Sequence, residues 1–88
     1  MRTIVLDYPV TVDGEEITQL EMRRGKARDQ VTAQKGCESN AEMEIKLFAN
    51  LCEVQLEVIE ELDMADYGEV QKVYSGFLSR RKEKSEKE

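Results

Sequence analysis

The side chains of this 88-residue chain that could do chemistry are carboxylates, two thiols and a few hydroxyls, because the sequence holds no histidine. Glu53, Glu57, Glu60 and Glu61 are spaced so that several share one helix face, the arrangement an acid/base pair or a carboxylate metal site would need. A solvated helix face gives the same spacing and is the simpler reading, since glutamate is rarely buried without a partner. No imidazole can complete a zinc-type site, and no Asp-x-Asp-x-Asp-Gly loop offers calcium its oxygen ligands. Ser39 and Ser75 have neither a histidine base nor a Gly-x-Ser-x-Gly elbow to make them nucleophiles. Cys37 and Cys52 stand fifteen positions apart, which is neither metal nor redox spacing. Cys52 reads as a small buried residue of its helix. Gly14, Gly25 and Gly36 fall in three different turns and form no phosphate loop. No catalysis, cofactor or metal is expected, which leaves binding.

Composition narrows the partner. The chain carries 13 basic and 19 acidic residues, net −6. Residues 79–88 hold five of the bases and three of the acids, so residues 1–78 have 8 bases against 16 acids. Arg23, Arg24, Lys26, Arg28 and Lys35 cluster early, whereas Glu38 to Glu69 holds ten acids and one base, Lys46. An acidic body repels phosphate, so the main domain is not expected to bind nucleic acid. No apolar run approaches the roughly 20 residues of a membrane span, and Met1-Arg2-Thr3-Ile4 leads directly into a strand pattern. A cytosolic chain with reduced thiols is the expectation.

The elements that must position a binding face are a hairpin and helices. Ile4, Leu6, Tyr8, Val10 and Val12 alternate as one strand face, Asp13-Gly14 marks a turn, and Leu20 and Met22 return on the same parity. A three-residue loop, Val12-Asp13-Gly14, would set Leu6 opposite Leu20 and Ile4 opposite Met22, with Gly14 as a left-handed bulge residue. Pro9 predicts an edge strand at that point. Residues 26–35 predict a short, weakly anchored helix ended by Gly36. Ser39 and Glu42 form a capping box ahead of Met43, Leu47, Phe48, Leu51 and Val54, a helical stripe. Val58, Ile59 and Leu62 continue it, compatible with one helix or two over residues 40–62. Asp63 caps a last helix, with Asp66 in its first turn. The predicted fold is α+β: an N-terminal β-hairpin (3–24) packed on three to four α-helices (26–79), one domain of residues 1–79 with a charged flexible tail at 80–88.

Two surfaces stand out. Tyr67, Val70, Tyr74, Phe77 and Leu78 share one face of the last helix and are the candidate partner-binding residues; packing under the hairpin would also explain them. Arg23, Arg24, Lys26 and Arg28 on one copy against Glu57, Glu60 and Glu61 on another would give head-to-tail self-association, so a homo-oligomer is expected.

The order of short patterns resembles the small tail assembly chaperones of Mu-like and related long-tailed phages. The residues that carry the resemblance are Leu6-Asp7-Tyr8-Pro9-Val10, Asp13-Gly14, Met22-Arg23-Arg24, Leu62-Asp63-Met64-Ala65-Asp66 and Phe77-Leu78, spread over residues 4–78. The stretch from Ala33 to Glu53 is more acidic than the family pattern. The resemblance implies a non-enzymatic chaperone that keeps the helical tape measure protein soluble until the tail tube polymerises. It implies action in the cytoplasm of the bacterial host and absence from the mature virion. It also implies a longer frameshift product that contacts the tail tube protein. The rival reading is an acidic nucleic-acid mimic or small regulator that binds a basic host protein.

Overall fold

The structure is a computed structural model and describes residues 1–79. It is a mixed α+β fold, an antiparallel hairpin followed by four helices. The hairpin strands are β1 (Arg2–Val12) and β2 (Glu15–Met22). The helices are α1 (Ala27–Gln34), α2 (Asn40–Cys52), α3 (Leu56–Glu60) and α4 (Met64–Leu78). The charged tail expected at 80–88 lies outside the described residues.

The hairpin corrects the expected register. Val12 stands directly opposite Glu15, so the loop is the two-residue turn Asp13-Gly14 and not three residues. Both turn residues have positive φ, 54° and 79°. That conformation twists with the strands and suits Asp-Gly, which is why the shorter turn prevails. The parity conflict is resolved inside β1. Val10 pairs with Ile17 and Val5 with Gln19, so residues 6–9 face Thr18 alone. This wide irregularity shifts the register, and Ile4 meets Leu20 rather than Met22. Pro9 falls in the irregular stretch, where no ladder donor is needed. Tyr8 does not join the buried face and is 58% exposed.

Ile4, Leu6, Val10, Leu20 and Met22 form the floor of a core completed by the helices. α3 and α4 pack on β1, α2 packs on β2, and α1 rests on α2. Phe48, Leu51, Val58, Ile59, Val70 and Val73 are buried above the sheet. Each such side chain contributes roughly 1.5–3 kcal/mol by leaving water.

Helix boundaries follow local chemistry. The Ser39 hydroxyl accepts the Glu42 N–H at 3.1 Å, and the Glu42 carboxylate accepts the Glu38 N–H at 2.9 Å. The stretch 40–62 is two helices, because Glu53 adopts a left-handed conformation at φ 57° and its N–H and that of Val54 close α2 onto Ala49. Asp63 caps α4 by accepting the Ala65 N–H at 2.9 Å.

α1 buries only Ala33, as its sparse apolar pattern predicts. It is held at its start by Asp29, whose carboxylate accepts the Arg23 guanidinium through two bonds of 3.1 and 3.0 Å and the Lys26 N–H at 2.7 Å. The Arg23 fork, followed by the Lys26 N–H, holds the Asp29 carboxyl down to about 2. A carboxyl depressed on folding stabilises the fold above its unfolded pKa, about 3.9. That contribution is lost as pH falls through about 2. An acid titration followed by circular dichroism is expected to show stability falling across this window, with a shallower slope in Arg23→Gln.

Candidate partner-binding site

α4 carries the five apolar residues singled out for binding, and the fold divides them. Val70 is fully buried and belongs to the core. Tyr67 and Tyr74 are half-buried against Phe48, with ring centroids 5.7 and 5.3 Å from it. These tilted and edge-on contacts are favourable aromatic geometries. The Tyr67 hydroxyl donates to the Glu44 carboxylate, which also accepts the Gln71 amide at 3.0 Å, so α4 is tied to α2 by polar as well as apolar contacts. Phe77 is half-buried, and Leu78 is 65% exposed.

The C-terminal end of α4 is also held by Arg24, two residues beyond the end of β2. Arg24 places its guanidinium 5.5 Å from the centroid of the Phe77 ring and donates to the Phe77 carbonyl at 3.1 Å. A cation here meets both the π face and the last carbonyls of a helix. Arg23, beside it, is taken up by Asp29 and lies 3.6 Å from Glu53. Two of the four cations expected to serve self-association are thus engaged within the chain. Lys26 and Arg28 are exposed, as are Glu57, Glu60 and Glu61, and none of these five forms an ion pair among the described residues.

Between α1 and the end of α4 lies a cleft of about 160 Å³. Its lining includes Lys26, Gln30, Leu47, Tyr74, Phe77 and Leu78. The fold therefore brings Tyr74, Phe77 and Leu78 together with Lys26, and leaves Tyr67 and Val70 outside the opening. Leu47 and Gln30 come from α2 and α1, and no pattern along α4 could have pointed to them.

Asp66 was legible as an acid favouring the start of α4 and as part of the pattern that carries the resemblance, but not as a buried group. The structure shows it 2% exposed, with its carboxylate accepting the Asp7 N–H at 3.0 Å and the Tyr8 N–H at 2.9 Å. These donors are freed by the irregular stretch of β1. A signal was present: Asp66, Val70, Val73 and Phe77 fall at helical spacing, which places an acid on the buried stripe. Buried carboxylates need such partners.

Among the described residues no three His, Cys, Asp or Glu side chains gather around a metal position, and no buried side-chain nitrogen or oxygen lacks a hydrogen-bond partner. No helix among them is long and apolar enough to cross a membrane. Cys37 and Cys52 are free thiols.

The family model described as phage tail assembly chaperone proteins, E, or 41 or 14, matches residues 3–79. The chain belongs to this tail assembly chaperone family. Its role is in tail assembly and is not enzymatic. No curated protein and no solved structure matches it. The short patterns that carried the resemblance have structural work in this chaperone. Leu62 and Asp66 are both buried, Pro9 lies in the irregular stretch that Asp66 clamps, and Arg24 covers Phe77.

Burial also sets an upper pH limit for the chaperone. Desolvation pushes the Cys52 thiol up to about 11. Desolvation and then the Glu44 carboxylate push the Tyr67 phenol above its ordinary range. A group whose pKa is raised on folding stabilises the fold below its unfolded value, about 8.5 for a thiol and about 10 for a phenol. The stabilisation is lost as pH rises beyond that value towards the folded one. Thermal melts are expected to weaken from about pH 9 upward, and the first part of that slope is expected to vanish in Cys52→Ala.

Proposed function

We propose that this chaperone binds the tape measure protein of its phage and keeps it soluble until the tail tube polymerises. Family membership over residues 3–79 carries the reading. The exposed end of α4 supports it: Leu78 and the rim of Phe77 offer apolar surface beside a cleft, the means by which a helix-in-groove contact covers a client's apolar stripe. The acidic surface elsewhere keeps many bound copies soluble and sets the rate of encounter more than the affinity.

Several copies act together in this reading. Lys26 and Arg28 on one chain and Glu57, Glu60 and Glu61 on the next remain available for a head-to-tail contact. The chaperone works in the bacterial cytoplasm and is left out of the finished virion. A longer frameshift product carries a further contact with the tail tube protein.

Co-expression with the tape measure protein of the same phage, followed by affinity purification of the small chain, tests the reading. A soluble tape measure co-purifying with several copies of the chaperone is the expected outcome. An insoluble, unbound tape measure would overturn it.

A further inference from the structure

We propose that the cleft between α1 and the C-terminal end of α4 seats one apolar side chain of a client helix that carries a carboxylate within a turn of that anchor. The inference rests on the tape measure reading and specifies which segments of the client are held.

Size sets the first half of the signature. A cavity of about 160 Å³ is close to one that holds a single benzene-sized group. Leu47, Tyr74, Phe77 and Leu78 give it apolar walls. The occupant is therefore one leucine-like or phenylalanine-like side chain, not a continuous strip.

Charge sets the second half. The lining contains Lys26 and no carboxylate. Three other surface clefts each include at least one Asp or Glu, as expected of a chain with net charge −6. Lys26 forms no ion pair among the described residues, and Arg24 adds a second cation against the Phe77 ring. A carboxylate one turn from the anchor on a client helix meets this rim, whereas a lysine there is repelled. Residues 80–88 contain no apolar side chain, so they supply no anchor of their own. The local preference is thus for acidic-apolar client segments, the reverse of what the net charge alone suggests.

The test uses the full chain and peptides of about 20 residues tiled along the tape measure protein, with binding read by fluorescence anisotropy. Peptides that bind are expected to pair an apolar residue with Asp or Glu three or four positions away. Leu78→Glu and Lys26→Glu are each expected to weaken them about tenfold or more. Val31→Glu, on the exposed side of α1 outside the cleft, adds the same charge as Leu78→Glu and is expected to change nothing. Replacing the peptide's carboxylate with lysine is expected to abolish binding to the natural chain and restore it to Lys26→Glu.

Peptides that bind regardless of Leu78→Glu and Lys26→Glu, or that carry no carboxylate, would overturn the assignment. If no peptide binds, the same variants are scored by co-expression with the whole tape measure protein. Solubilisation lost in Leu78→Glu and Lys26→Glu but kept in Val31→Glu supports the cleft. Solubilisation kept in all three removes the cleft and leaves the tape measure reading standing. A tape measure left insoluble by the natural chain removes that reading and the cleft's client with it.

Discussion

Asp66→Ala is expected to lose about 3 kcal/mol of stability, more than a typical surface substitution by a wide margin. The carboxylate receives two backbone donors, Asp7 N–H and Tyr8 N–H, at a site only 2% exposed. Alanine leaves both donors without an acceptor, and bonds to a charged acceptor are worth about 1.5–3 kcal/mol each. For a domain of this size each kcal/mol moves the melting temperature by roughly 4–8 °C. Asp66→Asn keeps one carbonyl oxygen but turns an amide donor towards the second N–H, so most of the loss is expected to remain. Asp63 gives the control. It lies three residues earlier, is exposed, and caps α4 through a single bond to the Ala65 N–H. Asp63→Ala is expected to cost about 1 kcal/mol. Urea unfolding of the three variants decides the point, and equal losses for Asp63→Ala and Asp66→Ala would contradict the clamp.

Phe48→Ala is expected to cost about 3–5 kcal/mol. A domain of this length has a total stability of roughly 4–13 kcal/mol, from about 0.05–0.15 kcal/mol per residue. The loss is therefore a large share of everything that holds the fold. Phe48 is fully buried and lies between the Tyr67 and Tyr74 rings, so its removal opens a cavity where α2 meets α4. The chain has no tryptophan and three tyrosines, two of them in this contact, so near-ultraviolet circular dichroism reports on it directly. The tyrosine bands are expected to collapse in Phe48→Ala while much of the far-ultraviolet helix signal persists. Phe48→Leu, which refills most of the space, is expected to keep both. Unchanged tyrosine bands in Phe48→Ala would place the tyrosines elsewhere.

Much of the fold was legible where local chemistry and global packing agree. Ser39, Glu42, Gly36 and Asp63 mark helix ends by mechanisms that work within a few residues, and the stripe from Leu47 to Leu51 faces the core as its spacing requires. The break between α2 and α3 was not legible, because the left-handed residue there is Glu53 rather than glycine, and no proline follows it. The hairpin turn was placed correctly but given the wrong length. Parity of the apolar residues was assigned to the loop, whereas the strand itself absorbs the odd step between Val5 and Val10. Of the residues on α4, spacing could not separate those consumed by the core from those left at its edge. Val70 is buried and Leu78 is not, and only the position of Phe48 and the hairpin decides which is which. The cleft itself is assembled by Lys26, Leu47 and Phe77 from separate segments, beyond the reach of any pattern read along one helix.

The Asp66 bonds have a kinetic consequence. They join positions separated by 58 and 59 residues, in a chain whose helices and hairpin otherwise form from near neighbours. A loop of that length carries a closure cost of about 3–4 kcal/mol before its contacts return anything. The clamp is therefore expected to close late, after the hairpin has turned and α4 has wound. Interactions formed after the folding barrier govern how fast the native state opens and leave the speed of folding almost unchanged. Asp66 is in this sense expected to act as a latch, setting how long the chaperone stays closed once made, while the local elements set how quickly it is made.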